Sequence, residues 1–120
     1  MQLIAERTHY GSAIFSKESI NIKSTSMTDQ ENVETLTVEM EIISITSIYK
    51  PPGVEFKSKE TNGCNGHKAN IILGDFNCRS NSWGYSDTNK DGEELKKWSE
   101  TINLNLLHDP KLSYSFSSKR

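Results

Sequence analysis

Polar and apolar residues alternate most strictly between Val33 and Met40, where Leu36, Val38 and Met40 fall on one face. Thr35, Thr37, Glu39 and Glu41 fall on the other, and a period of two residues predicts a half-exposed strand. Ile42–Tyr49 is denser in β-branched residues, which predicts an interior strand, with a hairpin turning near Glu41–Ile42. Lys50-Pro51-Pro52-Gly53 stops that strand, because proline has no amide to give the ladder, and Tyr49 is left at its C-terminal rim. A third run, Asn70-Ile71-Ile72-Leu73, predicts a short strand buried on both faces. It passes abruptly into Gly74-Asp75-Phe76-Asn77.

The other segments carry weaker patterns. Residues 1–10 are polar and predict no clear element. Gly11–Ser16 reads as a short strand, and Ser19–Ser24 as a second, with Ile20 and Ile22 alternating with polar residues. Residues 25–32 read as a polar loop, and residues 54–69 as another, with turns at Asn62-Gly63 and Asn65-Gly66. The loop Cys78–Asn89 carries Trp83-Gly84-Tyr85, an aromatic pair that reads first as a cover over the core and second as a stacking surface. Asp91 with Glu94 three positions on predicts a helix start, and Leu95, Trp98 and Ile102 recur at helical spacing. Lys96, Lys97 and Glu100 make its outer face. Leu104–Leu107 and Ser113–Phe116 are further strand candidates. The total is about six short strands and one helix, a mixed α and β chain in one unit.

Composition narrows the function classes. Apolar residues make 33% of the 120 and charged residues 25%, a lean core but not a disordered composition. Fourteen Lys and Arg against sixteen Asp and Glu give a net charge of −2, so bulk electrostatics does not predict a nucleic-acid binder. Any DNA contact is then local or helped by a metal ion. Cys64-Asn65-Gly66-His67 looks like half a zinc knuckle, but no second ligand pair exists and four ligands are needed. Cys64 and Cys78 are expected to be reduced thiols in an intracellular protein. Met1–Arg7 lacks the long apolar run of a signal peptide, and no stretch reaches membrane-spanning length.

Candidate chemistry gathers where two strands end. In an extended chain Asp75 and Asn77 point the same way, and Gly74 leaves room for a close approach of backbone or ligand. A carboxylate and a carboxamide together can prepare a water and hold a phosphate oxygen. Gly, Asp and Asn are equally the residues of an ordinary tight turn, and the motif alone does not separate the two readings.

A strand ending in Tyr49-Lys50-Pro51-Pro52 followed by one ending in Gly74-Asp75-Phe76-Asn77 is more specific than either. It resembles the endonuclease/exonuclease/phosphatase superfamily, the magnesium-dependent DNase-I-like and apurinic-endonuclease-like phosphodiesterases. In detail it is most similar to the endonuclease domain of jockey-type non-LTR retrotransposon polyproteins, which also carry a reverse transcriptase. The matching pieces follow in the same order: Gly11–Phe15, Tyr49–Pro52, Ile72–Asn77, Trp83-Gly84 and Gly92–Leu95. The resemblance spans residues 9 to 118.

It implies an α/β (α+β) fold, the central part of a four-layer αββα sandwich, with the reacting phosphate at one rim. It implies that Asp75 orients or deprotonates the attacking water, that Asn77 holds a non-bridging phosphate oxygen, and that Tyr49 stabilises charge on the scissile phosphate. Magnesium is the implied cofactor and DNA the implied partner, with no membrane and with the nucleus as the implied location. The family's metal-binding glutamate stands in an Asn…Gln-Glu context that Glu6 lacks, so the metal ligands are unassigned. No histidine (His9, His67 or His108) follows Ser-Asp as the family's catalytic one does, and Ser86-Asp87 is followed by Thr88. A full domain of the family is roughly twice this length, so residues 1–120 read as a piece of a single domain, truncated at both ends. Three expectations follow: phosphodiester hydrolysis is weak or lost, an open sheet edge favours self-association, and the fold is partial. Two alternatives stay open, a non-catalytic phosphate- or protein-binding remnant and a phosphatase of the same superfamily.

Overall fold

The computed structural model describes residues 2–6, 12–57, 68–105 and 107. The chain divides into two compact units, Met1–Val54 with Glu60–Asn77, and Glu55–Lys59 with Cys78–Arg120.

Among the described residues the first unit has six strands: β1 (Gln2–Glu6), β2 (Ala13–Ser16), β3 (Ser24–Gln30), β4 (Val33–Glu39), β5 (Ile43–Tyr49) and β6 (Ala69–Asp75). β1 and β2 pair antiparallel, and the other four form one sheet in the order β3-β4-β5-β6. β3, β4 and β5 are antiparallel neighbours, while β6 runs parallel to β5.

The strict alternation sits where it was expected. Glu34, Leu36 and Val38 are buried, whereas Thr35, Thr37 and Glu39 are half-buried. The register sets Val38 opposite Ile45, and Ile45 beside Ile71, an apolar row on one face of the sheet. The opposite face joins Ile48 and Ile72 with polar groups: Thr37 and Thr46 share a hydroxyl hydrogen bond of 3.1 Å, and Ser44 donates to Glu39 Oε1 at 2.9 Å. The β4–β5 hairpin turns at Met40–Ile42, one residue wider than its expected centre, with the Met40 amide donating to the Ile43 carbonyl at 2.8 Å.

Lys68 completes the polar cluster, its Nζ 2.9 Å from Glu39 Oε2. The hydrogen bond from Lys68 holds the Glu39 carboxyl below its ordinary value of 4.5, aided by the Ser44 hydroxyl and the Lys68 charge and opposed by burial. A carboxyl that titrates lower when folded stabilises the fold above 4.5 and loses that contribution as the pH falls through the folded value. Both side chains are half-buried and touch water, which screens the pair, so it contributes about 0.5 kcal/mol. Lys68→Met is expected to lower stability by that amount at pH 7 in urea unfolding. The difference should vanish in acid.

Several sequence expectations fail. Residues 25–32, read as a loop, form most of β3. All seven side chains of β3 are exposed, so no burial pattern marks it. Its pairing with β4 makes it, through a two-residue turn at Glu31 and Asn32, whose φ of 53° and 66° are the left-handed pair of a tight hairpin. Residues 1–10 contain β1, which takes its form from pairing with β2 and touches β3 and β4. Ser19–Ser24, expected as a strand, is bend and irregular chain until β3 begins at Ser24. Most relevant to the rim, β6 is not buried on both faces. Among the described residues it is the edge of its sheet, with Ile71 43% and Leu73 49% exposed, because only β5 lies beside it.

The second unit holds a 3-10 turn, Asn81–Trp83, and the helix α1 (Lys90–Thr101). Leu95 and Trp98 are buried on the inner face, Ile102 is half-buried and Lys96, Lys97 and Glu100 are exposed, as the helical spacing required. Phe56 stacks edge-on against Trp98, ring centres 5.8 Å apart at 65°. The helix cap is Asn89 rather than Asp91: its side chain accepts from the Gly92 amide at 2.7 Å. Asp91, displaced from that role, accepts instead from the Phe56 amide at 2.9 Å. Trp83 is half-buried and Tyr85 48% exposed, so the aromatic pair is not a closed cover. Leu104, Asn105 and Leu107 are not in a strand, while Cys64, His67 and Ser113–Phe116 lie outside the described residues. Cys78 is buried and forms no disulfide. No helix among the described residues is long and apolar enough to cross a membrane.

Candidate functional site

The parallel pairing of β5 and β6 sets Tyr49 beside Asp75 as the last partners of the ladder. Adjacent strands lie about 4.8 Å apart, so the two side chains leave the sheet as neighbours at one rim. This pairing needs Gly74. Its φ is +154°, and a Cβ there would collide with the Ile48 carbonyl of the neighbouring strand. The close approach expected of this glycine is therefore one of backbone on backbone.

Beyond Asp75 the chain does not stay extended, which corrects the geometric premise for Asn77. Asn77 adopts φ 48°, a left-handed conformation that asparagine tolerates better than most residues. Its amide folds back onto Asp75 Oδ1 at 3.2 Å, so Asp75 accepts from the residue two positions on, as in an Asx turn. The motif residues therefore form the tight turn that one of the two readings expected. The Asn77 side chain then reaches to β5, donating from Nδ2 to the Lys50 carbonyl at 2.7 Å. The Lys50 amide donates to the Asp75 carbonyl at 2.9 Å and carries the ladder one step past Tyr49.

All three sequence-predicted residues, Tyr49, Asp75 and Asn77, are accordingly brought to one rim within the first unit. Asp75 and Asn77 are exposed and Tyr49 half-buried. Asp75 Oδ2 and Asn77 Oδ1 take no hydrogen bond from any described residue, and Asn77 Nδ2 keeps a second N–H. The arrangement offers a carboxylate oxygen and an amide donor together, with Tyr49 beside Asp75 in the register of the neighbouring strand. Sequence reasoning missed Lys50, whose side chain is 1% exposed; its only signal was its place between Tyr49 and a Pro-Pro pair.

A divalent cation of the kind the resemblance implies needs several oxygen ligands together. Among the described residues, no three of His, Cys, Asp or Glu come together in a way that could hold a metal ion. Magnesium is commonly held by one or two carboxylates with waters and phosphate oxygens, so Asp75 is the carboxylate at this rim that could join such a site, and no step is derived through the ion.

The sequence from residue 43 to 120 matches the model of the family described as endonuclease-reverse transcriptase. The chain belongs to that family. The match begins at the first residue of β5 and contains Tyr49, Asp75 and Asn77. It places this endonuclease-reverse transcriptase family member in the endonuclease/exonuclease/phosphatase superfamily of nucleases and phosphodiesterases, with a retrotransposon-type link. No curated protein and no solved structure matches the chain.

Proposed function

We propose that the rim of Tyr49, Asp75 and Asn77 engages a phosphodiester of DNA, as part of an endonuclease centre at the edge of a four-layer αββα sandwich. The observation that carries this reading is the Tyr49–Asp75 register with Asn77 locked to both strands, inside the family match. Asn77 Nδ2 would donate its second N–H to a non-bridging oxygen, and Tyr49 would stabilise charge on the phosphate. Asp75 Oδ2 would accept a proton from the attacking water. Magnesium belongs to the same reading as a cofactor, by the family resemblance alone. Glu6 lacks the family's Gln-Glu context and no Ser-Asp-His occurs in the sequence, so on this reading cleavage by the chain is weak or lost.

The test is an NMR titration of the chain with a short DNA duplex, beside a nicking assay on supercoiled plasmid with magnesium. Amide shifts confined to residues 49–50 and 74–77, with nicking near background, are expected. Shifts elsewhere or none would overturn the site, and robust nicking that Asp75→Ala abolishes would overturn the weak activity. Asp75→Asn provides a charge check. Removing a like charge about 4 Å from a phosphate is worth about 1 kcal/mol in water, so DNA should bind about fivefold tighter without divalent cations. An unchanged dissociation constant would place the phosphate away from Asp75.

A further inference from the structure

Lys50 is among the largest fully buried side chains of the described residues, although lysine is rarely buried completely. All of its polar groups are engaged around the rim. Its amide donates to the Asp75 carbonyl, and its carbonyl accepts from Asn77 Nδ2. Its ammonium turns back on the following residues, donating to the Val54 carbonyl at 2.6 Å and the Pro51 carbonyl at 3.2 Å. The Val54 amide closes the same turn onto the Pro51 carbonyl at 3.3 Å.

The peptide between Lys50 and Pro51 is planar, and the proline ring fixes φ of Pro51. The soft torsions left are ψ of Lys50, which aims the Lys50 carbonyl, and ψ of Pro51, which sets where the Pro51 carbonyl and the turn beyond it lie. The Lys50 side chain reaches from its own Cα to the carbonyls at both ends of the turn, and the ring it closes spans both torsions and holds them. The orientation of the Lys50 carbonyl, and the place of the Asn77 carboxamide hanging from it, are then fixed together.

We propose that Lys50 is a positioning residue, whose buried ammonium pins the Pro51–Val54 turn and thereby aims the Asn77 carboxamide beside Asp75. Lys50 does not touch the phosphate. It acts through its own carbonyl, and only the DNA arm of the test rests on the phosphodiester reading.

Lys50→Met keeps length, backbone and the following proline while removing every side-chain donor. In the variant, amide exchange over β4 and β5 should stay as in the unaltered chain. The Asn77 side-chain N–H resonances should shift, and their exchange should quicken by about tenfold as the bond to the Lys50 carbonyl loosens. DNA-induced shifts at residues 74–77 should shrink in parallel. Unchanged Asn77 side-chain resonances would overturn the assignment, whatever DNA does. Absence of DNA shifts in the unaltered chain would overturn only the phosphodiester reading. Should Lys50→Met fail to fold, Lys50→Gln gives the same readout with a shorter side chain, and collapse of both variants would show a purely structural role and overturn the proposal.

Discussion

Gly74→Ala is expected to cost about 3 kcal/mol and to detach the end of β6 from β5. In an ordinary strand the change would help, since alanine spends less backbone entropy on folding than glycine by roughly 0.5–1 kcal/mol. Two features reverse the sign. The φ of +154° is a conformation that residues with a side chain rarely adopt, and the added methyl would collide with the Ile48 carbonyl. That carbonyl belongs to the middle of the sheet and cannot swing aside as a flexible side chain could, because β5 is paired on both of its edges. The strain therefore falls on β6, the edge strand, which parts from its neighbour at the Ile48–Gly74 step of the register. Tyr49 and Asp75 lie one step further on, so the rim opens with it. Hydrogen exchange should show β3, β4 and the start of β5 protected as before. The amides of Lys50 and of residues 73–75 should lose protection. An alanine variant with unchanged exchange at Lys50 would show that the sheet absorbs the methyl.

The rim was legible in the sequence because each part follows from local chemistry. Proline must end β5, so Tyr49 had to be terminal, and a glycine-aspartate step after three apolar residues had to end β6. What the sequence hid was set by pairing and packing rather than by a segment's own pattern. Nothing in Ser24–Gln30 marks a strand, since none of its side chains is buried and only its pairing with Val33–Glu39 gives it that form. Ile71 and Leu73 look like core residues, and an edge position is a property of the sheet rather than of the segment. Lys50 is the reverse case. A lysine before two prolines looks exposed, and its burial follows from carbonyls that a turn brings within its reach. Asn77 lies at the expected rim but not in the expected conformation. A left-handed residue after Asp75 leaves the strand direction, and cross-strand hydrogen bonds restore the contact that extension was expected to give.

Gly92→Ala is expected to destabilise the second unit by about 2 kcal/mol, again against the sign that helix propensity alone would give. In the first turn of α1, alanine should gain nearly 1 kcal/mol over glycine. A methyl at position 92, however, would collide with the Arg79 carbonyl and come within 3.0 Å of Asn89 Oδ1. Both atoms are committed. The Arg79 carbonyl accepts the Asn89 amide at 3.1 Å, and Asn89 Oδ1 accepts from the amides of Gly92 and Arg79 at 2.7 and 3.0 Å. One asparagine thus caps the helix and closes the loop from Arg79 to Asn89. The methyl must push the helix start away from that loop and break the cap, a loss of about 1 kcal/mol on its own. Overpacking against main chain adds 1–3 kcal/mol more, so collision outweighs propensity. Both tryptophans of the chain, Trp83 and Trp98, lie in this unit, and tryptophan fluorescence in urea reads its unfolding directly. The expected result is a lower midpoint for Gly92→Ala. Asn89→Ala should show a smaller shift in the same direction, and adding it to Gly92→Ala should cost less than the sum, since both changes remove the same cap. Full additivity would mean that the methyl is accommodated elsewhere and that Asn89 still caps the helix.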